Sequence, residues 1–333
     1  MPYMMIGTQR SGSNLLRLMI NQLSQITAPH PPHILEKLTP LLPLYGPLDK
    51  NTSFNQLIED VCQLVEKNPV AWEGINLNRE DVYSRCDERS LVAVCDAVHN
   101  ILAQQHKAET WMCKSMANVH LLPEIERFYG KKIKFIYLYR DGRDVSLSFR
   151  KAMIGEKSFY HLAKTWSLEQ QLALECEQRL GKSQFFKMSY EELTSDVECS
   201  LRRLCSFLNV DYSENMLDGY KSVEATRTAV TNLWSNVVNP LASNNCNKFF
   251  KECSLHDVDI FERVAKDSLN ALGYKCFLKT EDEKPHFSDD EIKQFEIENE
   301  SLKKEAIKSS DVVDRELRKP HVELMNSIRQ RLR

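Results

Sequence analysis

A chain of 333 residues, 42% of them hydrophobic, has enough apolar material for a large core and suits one α/β domain of about 250 residues with an appendage. Its net charge of -3 gives no global attraction to nucleic acid or anionic membrane, so any basic site is local, and no apolar run approaches the length of a membrane span. No signal peptide precedes the first strand, and the ten cysteines are scattered singly without zinc spacing; the expectation is a cytoplasmic protein with reduced thiols and no metal site.

The first element predicted is a buried strand over Tyr3 to Ile6. A Gly/Ser-rich turn with Arg10 inside it follows, and then a helix carrying Leu15, Leu16, Leu18, Met19 and Leu23 at helical spacing. Gly7 and Gly12 permit the turn, and the unpaired amides at the helix start, near Ser11 to Ser13, face any anion held there. The two glycines sit as in the nucleotide loop G-x-x-x-x-G-K-[ST], but Ser13 and Asn14 occupy the positions of the lysine and the magnesium-binding hydroxyl. That loss argues against a magnesium-triphosphate enzyme, while Arg10 supplies a fixed charge in the turn. The bland alternative is an ordinary strand-turn-helix with a surface arginine.

Three prolines between Ile26 and Glu36 forbid regular structure around His30 and His33, and this loop is expected to return over the carboxyl edge of the sheet, where ligands bind. Both histidines are substrate-facing candidates, the alternative being a surface loop whose histidines bond to backbone. Pro40 to Pro47 extends the irregular stretch, and the segment from Leu41 to Asn78 joins the Pro/His loop as the expected acceptor pocket. Helices are predicted over Phe54 to Lys67 and Ser90 to His106, with a capped helix start at Asn78. A short strand then ends in Lys114 and Ser115; the lysine either enters the crevice or is solvated on a loop. Cys113, beside it, is a weaker candidate for an activated thiol.

Residues 133 to 139 form the next apolar strand, with Asp141-Gly142 as a turn and Asp144 as the cap of a following helix. Arg140 leaves the strand at the crevice, and Ser148 follows eight residues later, so both can reach one anion. Asp141 and Asp144 can equally pair with Arg143 and Arg150 in a structural network. A helix from Phe159 to Arg179 and a strand entering Tyr190-Glu-Glu-Leu193 complete the pattern, with a further helix over Asp196 to Leu208.

Gly-Thr-Gln-Arg-Ser-Gly-Ser-Asn (7 to 14) resembles the 5′-phosphosulfate loop of sulfotransferases, and Tyr-Arg-Asp-Gly-Arg-Asp-Val-Ser-Leu-Ser (139 to 148) resembles their 3′-phosphate segment. The resemblance spans about residues 3 to 275 and implies a P-loop-like three-layer α/β fold with a central, mainly parallel sheet. It further implies that Arg10 and the backbone of Ser11, Gly12, Ser13 and Asn14 hold the 5′ end of 3′-phosphoadenosine 5′-phosphosulfate, that Arg140 and Ser148 hold its 3′-phosphate, and that Tyr190 lies near the adenine. Arginine at position 10 is more like the carbohydrate, tyrosylprotein and bacterial branches than the phenol-sulfating branch. Residues 225 to 231 and Asn244 to Lys251 are looser matches to nucleotide-covering segments, the first as a strand or loop.

The implied reaction is in-line transfer of a sulfuryl group to a hydroxyl of a carbohydrate or other small-molecule or lipid alcohol, leaving adenosine 3′,5′-bisphosphate, with Arg10 and Lys114 stabilising charge and no metal needed. His30 stands where the tyrosylprotein branch places its catalytic glutamate and is the first candidate base, His33 the second and Glu36 the third. The phenol-sulfating branch keeps its histidine in a Lys-Thr-His run; here that run reads Lys114-Ser115-Met116. The competing readings are a kinase-like phosphotransferase and a non-enzymatic nucleotide-binding scaffold. Residues 1–279 are expected to form the catalytic domain and 280–333 a charged helical extension, broken at Pro285 and Pro320. A short heptad-like seam, Ile292, Phe295, Asn299, Leu302 and Ala306, offers that extension to the body or to a second copy.

Overall fold

The computed structural model describes residues 1–230, 232–241, 245–277, 287–308 and 311–331. Five strands, β1 (Tyr3–Ile6), β2 (Ile26–Thr27), β3 (Thr110–Cys113), β4 (Lys134–Tyr139) and β5 (Phe185–Ser189), form one parallel sheet in the order β2-β3-β1-β4-β5. The sheet is covered on both faces, which is why its strands read as continuous apolar runs. Met4, Ile6, Trp111, Cys113, Phe135 and Tyr137 point into one core layer, and Tyr3, Met5, Met112, Ile136 and Leu138 into the other. β1 is central, with β3 and β4 on either side, so the chain leaves it at the point where the strand order reverses. Ligands of open α/β sheets bind at that crevice.

The helices expected from periodicity form at Ser13–Ile20, Asn51–Glu66, Leu91–Gln105, Phe159–Leu180, Val197–Leu208 and Leu255–Ala271. Asn78 caps Arg79–Ser84 by accepting from the amides of Glu80 and Asp81. Several local expectations are corrected. The prolines after Ile26 leave room for β2, which pairs with β3 at the sheet edge, and for a helix over Ile34–Leu38 directly after them. Residues Thr39–Tyr45 form a 3-10 helix, and residues 225–229, expected as strand or loop, belong to a helix, Val223–Ala229. Asp141, not Asp144, caps the helix Gly142–Lys151, accepting from the Arg143 amide at 2.9 Å, while Asp144 accepts from the Phe249 amide at 2.9 Å. Gly142 opens that helix where a Cβ would lie 2.3 Å from Phe261 and 2.6 Å from Trp166, so a side chain there would drive the helices apart.

The extension folds back on the body as two helices, Asp289–Lys308 and Val312–Arg331; the 279/280 boundary and Pro285 lie outside the described residues. Phe295 stacks on Tyr160 with centroids 5.0 Å apart, and Asn299 Oδ1 accepts from the amides of Lys157 at 2.8 Å and Ser158 at 3.0 Å. The seam therefore faces this chain's own body. Leu324, Met325 and Ile328 enter the main core, and Arg331 pairs with buried Asp60. That burial carries the last helix through Pro320, which costs it a single backbone bond rather than ending it.

Candidate active site

A cleft of about 1230 Å³ opens over the carboxyl ends of β1, β3 and β4. The β1 loop forms its floor. Gly12 has φ +86°, a conformation costly for residues with a Cβ, and a Cβ there would stand 2.4 Å from Tyr190 Cδ2. Leu16 N–H to Gly12 carbonyl, 3.1 Å, is the first bond of the helix Ser13–Ile20, and no side chain caps that helix, so the amides of its first turn stay open toward the cleft. Arg10 sits at φ +70°, a strained position for a residue with a Cβ.

The two sequence motifs meet in space. Arg10 Nε donates to Ser148 Oγ at 3.0 Å, and Arg140 Nη1 donates to the Arg10 carbonyl at 3.3 Å. Arg140 also donates to the Asn245 carbonyl and lies 3.6 Å from Asp144, and its Nε is buried without a partner. The Tyr190 ring is 5% exposed, with the Arg140 guanidinium 4.5 Å from its centroid and its hydroxyl accepting from Asn245 Nδ2 at 2.9 Å. Tyr190 thus lies between the loop and Arg140 as a buttress. Asn245 to Lys251 does approach the clamp, and Lys248 lines the cleft; Asn244 lies outside the described residues. The structural-network alternative holds for Arg143, which is buried against Asp141 and also Glu262, but not for Arg150, which pairs with Asp257 while Asp144 lies beside Arg140.

Lys114 lines the cleft from the end of β3 and is 6% exposed. Burial, reinforced by Arg17 and Arg10, pushes its ammonium down to about 7. Arg10 is also lowered, first by burial and then by the charge of Arg140. This end of the cleft therefore concentrates buried cations that repel one another. Burial pushes the Cys113 thiol up to about 11, which makes it a core residue rather than an activated nucleophile. All ten cysteines are free, and no cluster of three or more potential metal-binding side chains occurs among the described residues.

His30 and His33 both line the cleft. The His30 carbonyl accepts from Asn68 Nδ2 at 3.2 Å and Trp72 Nε1 at 2.6 Å, and its ring meets the edge of Trp234 at 4.5 Å. Both His30 ring nitrogens are buried without partners, and burial with nearby Arg17 and Lys114 holds its pKa well below the usual range. His33 Nδ1 lies 2.9 Å from Glu36 Oε2 and 3.1 Å from Ser115 Oγ; burial lowers its pKa, against the pull of Glu36. Of the expected acceptor segment, Leu41 to Leu64 packs into the core or faces solvent away from the cleft, and Asn68 and Pro69 reach it. Trp234 to Leu241 and the extension, through Leu302, Ala306, Arg318 and His321, provide the other wall.

Sequence reasoning missed Arg17. It is fully buried and donates to Asn14 Oδ1 at 3.2 Å, the Ala28 carbonyl at 3.0 Å, Glu224 at 2.8 Å and Thr228 Oγ1 at 2.9 Å. Its signal was a charge amid Leu15, Leu16, Leu18 and Met19 on a short apolar helix.

Residues 2–214 match the model of the sulfotransferase family. The chain belongs to the sulfotransferase family. Over 221 residues, 61% of this chain and 74% of the relative, it is 28% identical to a Caenorhabditis briggsae protein described as "Putative protein-tyrosine sulfotransferase". Its fold is similar to the sulfotransferase domain of the Synechococcus PCC 7002 olefin synthase, with a TM-score of 0.57 at 19% identity over 83% of this chain and 95% of that one. The sulfotransferase domain from the curacin biosynthetic pathway matches with a TM-score of 0.51 at 18% identity, over 83% and 98% of the two chains. As a sulfotransferase, the protein is an enzyme of sulfuryl transfer with a helical extension. No described helix is long and apolar enough to cross a membrane.

Proposed function

We propose that this sulfotransferase uses 3′-phosphoadenosine 5′-phosphosulfate and transfers its sulfuryl group to a hydroxyl of a carbohydrate or another small alcohol. The observation that carries the donor assignment is the joining of Arg10, Ser148 and Arg140 into one unit, with an orphaned Arg140 nitrogen and an open helix start beside it. The donor set fits a nucleotide with anionic groups at both ends. Arg10, Lys114 and the amides at the helix start would hold the 5′ end, and Arg140 and Ser148 the 3′-phosphate. The donor supplies an activated sulfur–oxygen bond whose leaving group is a phosphate.

Preorganised positive charge at the leaving oxygen is the main rate contribution these residues can make. Asn14, at the position of a magnesium-binding hydroxyl in kinases, instead accepts from Arg17, which argues against the phosphotransferase reading. For the base, the Glu36 carboxylate orients His33 and stabilises the cation it becomes on taking a proton. Protonated His30 would face Arg17, Lys114 and Arg318, so we assign proton abstraction to His33 and cleft shaping to His30. The two unpartnered His30 nitrogens favour the reverse assignment. His33→Ala should abolish turnover and His30→Ala should only reduce it; the opposite pattern would exchange the roles. Free thiols suit a reducing compartment, and we take the protein to be cytoplasmic.

Isothermal titration of adenosine 3′,5′-bisphosphate against ATP tests the donor assignment. Preference for the 3′-phosphate, lost in Arg140→Ala, is expected; equal affinities would remove the proposal. The acceptor panel should include a tyrosine peptide, given the description of the Caenorhabditis relative.

A further inference from the structure

The far end of the cleft holds buried hydrogen-bond donors that no group among the described residues satisfies. Arg318, on the helix Val312–Arg331, lines the cleft with its Cζ 5.6 Å from the centroid of Trp234, the same ring that His30 meets. Its Nε and Nη2 are both shut off from solvent and unpartnered. Those two atoms form one edge of the guanidinium, the edge that grips a two-oxygen anion side on. His321 Nδ1 and the two nitrogens of His30, one of which carries a hydrogen in the neutral ring, also lack a hydrogen-bond partner among the described residues, and Lys37 Nζ contacts His321 Nε2. Four carboxylates line this end of the cleft: Glu36 lies against His33, and Glu305, Asp311 and Asp314, the last a neighbour of Arg318, are each already engaged. None of them is hydrogen-bonded to the open edge of Arg318. Unmet buried donors are retained at a cost to stability, and the reason they are tolerated here is a ligand that supplies acceptor oxygens.

We propose that Arg318, backed by Lys37 and His321, forms an acceptor-recognition subsite for an oxyanion, a carboxylate or a phosphate or sulfate ester, carried on the same molecule as the hydroxyl to be sulfated. The subsite rests on the sulfuryl-transfer reading above and adds the acceptor's chemical class to it. Its central residue lies on the extension, beyond the 2–214 stretch that matches the family. The extension is thus a specificity element as well as a brace.

The test uses the full chain and two matched acceptor sets: 4-hydroxyphenylacetate with its methyl ester, and glucose with glucuronate and glucose 6-phosphate. Within at least one set, kcat/KM for an anionic member should exceed that for the neutral member by about 10-fold or more, the usual discrimination of a charged hydrogen bond. The glucuronate and glucose 6-phosphate arms separate carboxylate from phosphate. Arg318→Met should remove that preference while keeping the neutral member within about 2-fold, and Arg318→Lys, which keeps the charge without the edge, should restore little of it. Equal use of neutral and anionic members, or a uniform loss for all, would overturn the subsite. If no acceptor turns over, binding of 4-hydroxyphenylacetate and glucose 6-phosphate to the protein loaded with adenosine 3′,5′-bisphosphate decides: binding of neither, or binding unchanged by Arg318→Met, also overturns it. Failure of the donor reading is read separately, as absent binding of the bisphosphate.

Discussion

Lys114 offers a test of the donor end that needs no acceptor. Its ammonium, 6% exposed and crowded by Arg17 and Arg10, is pushed down to about 7. At pH 8 a group with that pKa is roughly one-tenth protonated. An anion in the cradle offsets the neighbouring positive charge and returns the lysine toward its usual value of about 10.4, so nearly every bound molecule carries the proton. Binding at pH 8 therefore takes up about 0.9 proton, falling to about 0.1 at pH 6, where the free lysine is already charged. The sign follows: affinity falls as pH rises above about 7. In the free protein the unfolded chain binds more protons between about 7 and the ordinary lysine value of about 10.4, so this group's contribution to stability rises with pH across that window. The assay is calorimetric titration of adenosine 3′,5′-bisphosphate at pH 8 in two buffers of unlike ionisation enthalpy. Wild type should give buffer-dependent enthalpies and Lys114→Met should not. Identical enthalpies for wild type, or undiminished uptake in the variant, would refute the reasoning.

Gly12→Ala places a Cβ at φ +86° and 2.4 Å from a buried tyrosine ring, which should lower stability by about 1–3 kcal/mol and nucleotide affinity at least 10-fold; unchanged titration and melting would contradict the close approach. Arg17→Met strands Glu224 and the Ala28 carbonyl, and a loss of about 3–5 kcal/mol by denaturant unfolding is expected, with a loss under about 1 kcal/mol counting against the network. Asn299→Ala removes the acceptor for two amides at the start of Phe159–Leu180; about 1–2 kcal/mol and faster tryptic cleavage of the extension should follow, and an unaltered cleavage rate would show that the latch is not there.

The strands β1 and β4 with their turns were legible because their chemistry is contiguous: an apolar run, a special backbone position and a helix start stand within about a dozen residues. The resemblance assigned Arg10 to one end of the donor and Ser148 with Arg140 to the other; that Arg10 Nε donates to Ser148 Oγ was not legible in either motif. Where residues far apart in sequence decide the outcome, local pattern failed. Arg17 finds Glu224 and Thr228 at separations of 207 and 211, so its apolar neighbours hint at burial while nothing beside it in sequence names its partners. β2 has two residues and exists only because β3 offers it an edge. Asp141 and Asp144 stand in one turn, and their duties divide according to Phe249, a residue 105 positions away. Pro320 looked like a stop because its helix's tertiary burial is invisible in one dimension.

The contacts that seat the last helix join residues 271 to 284 positions apart, Asp60 with Arg331 and Lys37 with His321. During synthesis the sheet and its phosphate loop emerge long before that helix does, and sequence separation of this size makes such contacts late in folding. In a nascent chain the loop after β1 therefore precedes the wall that the last helix adds to the cleft. Without that helix the cleft loses Arg318 and His321 from its wall, and the helix Asn51–Glu66 loses part of its cover around Val61.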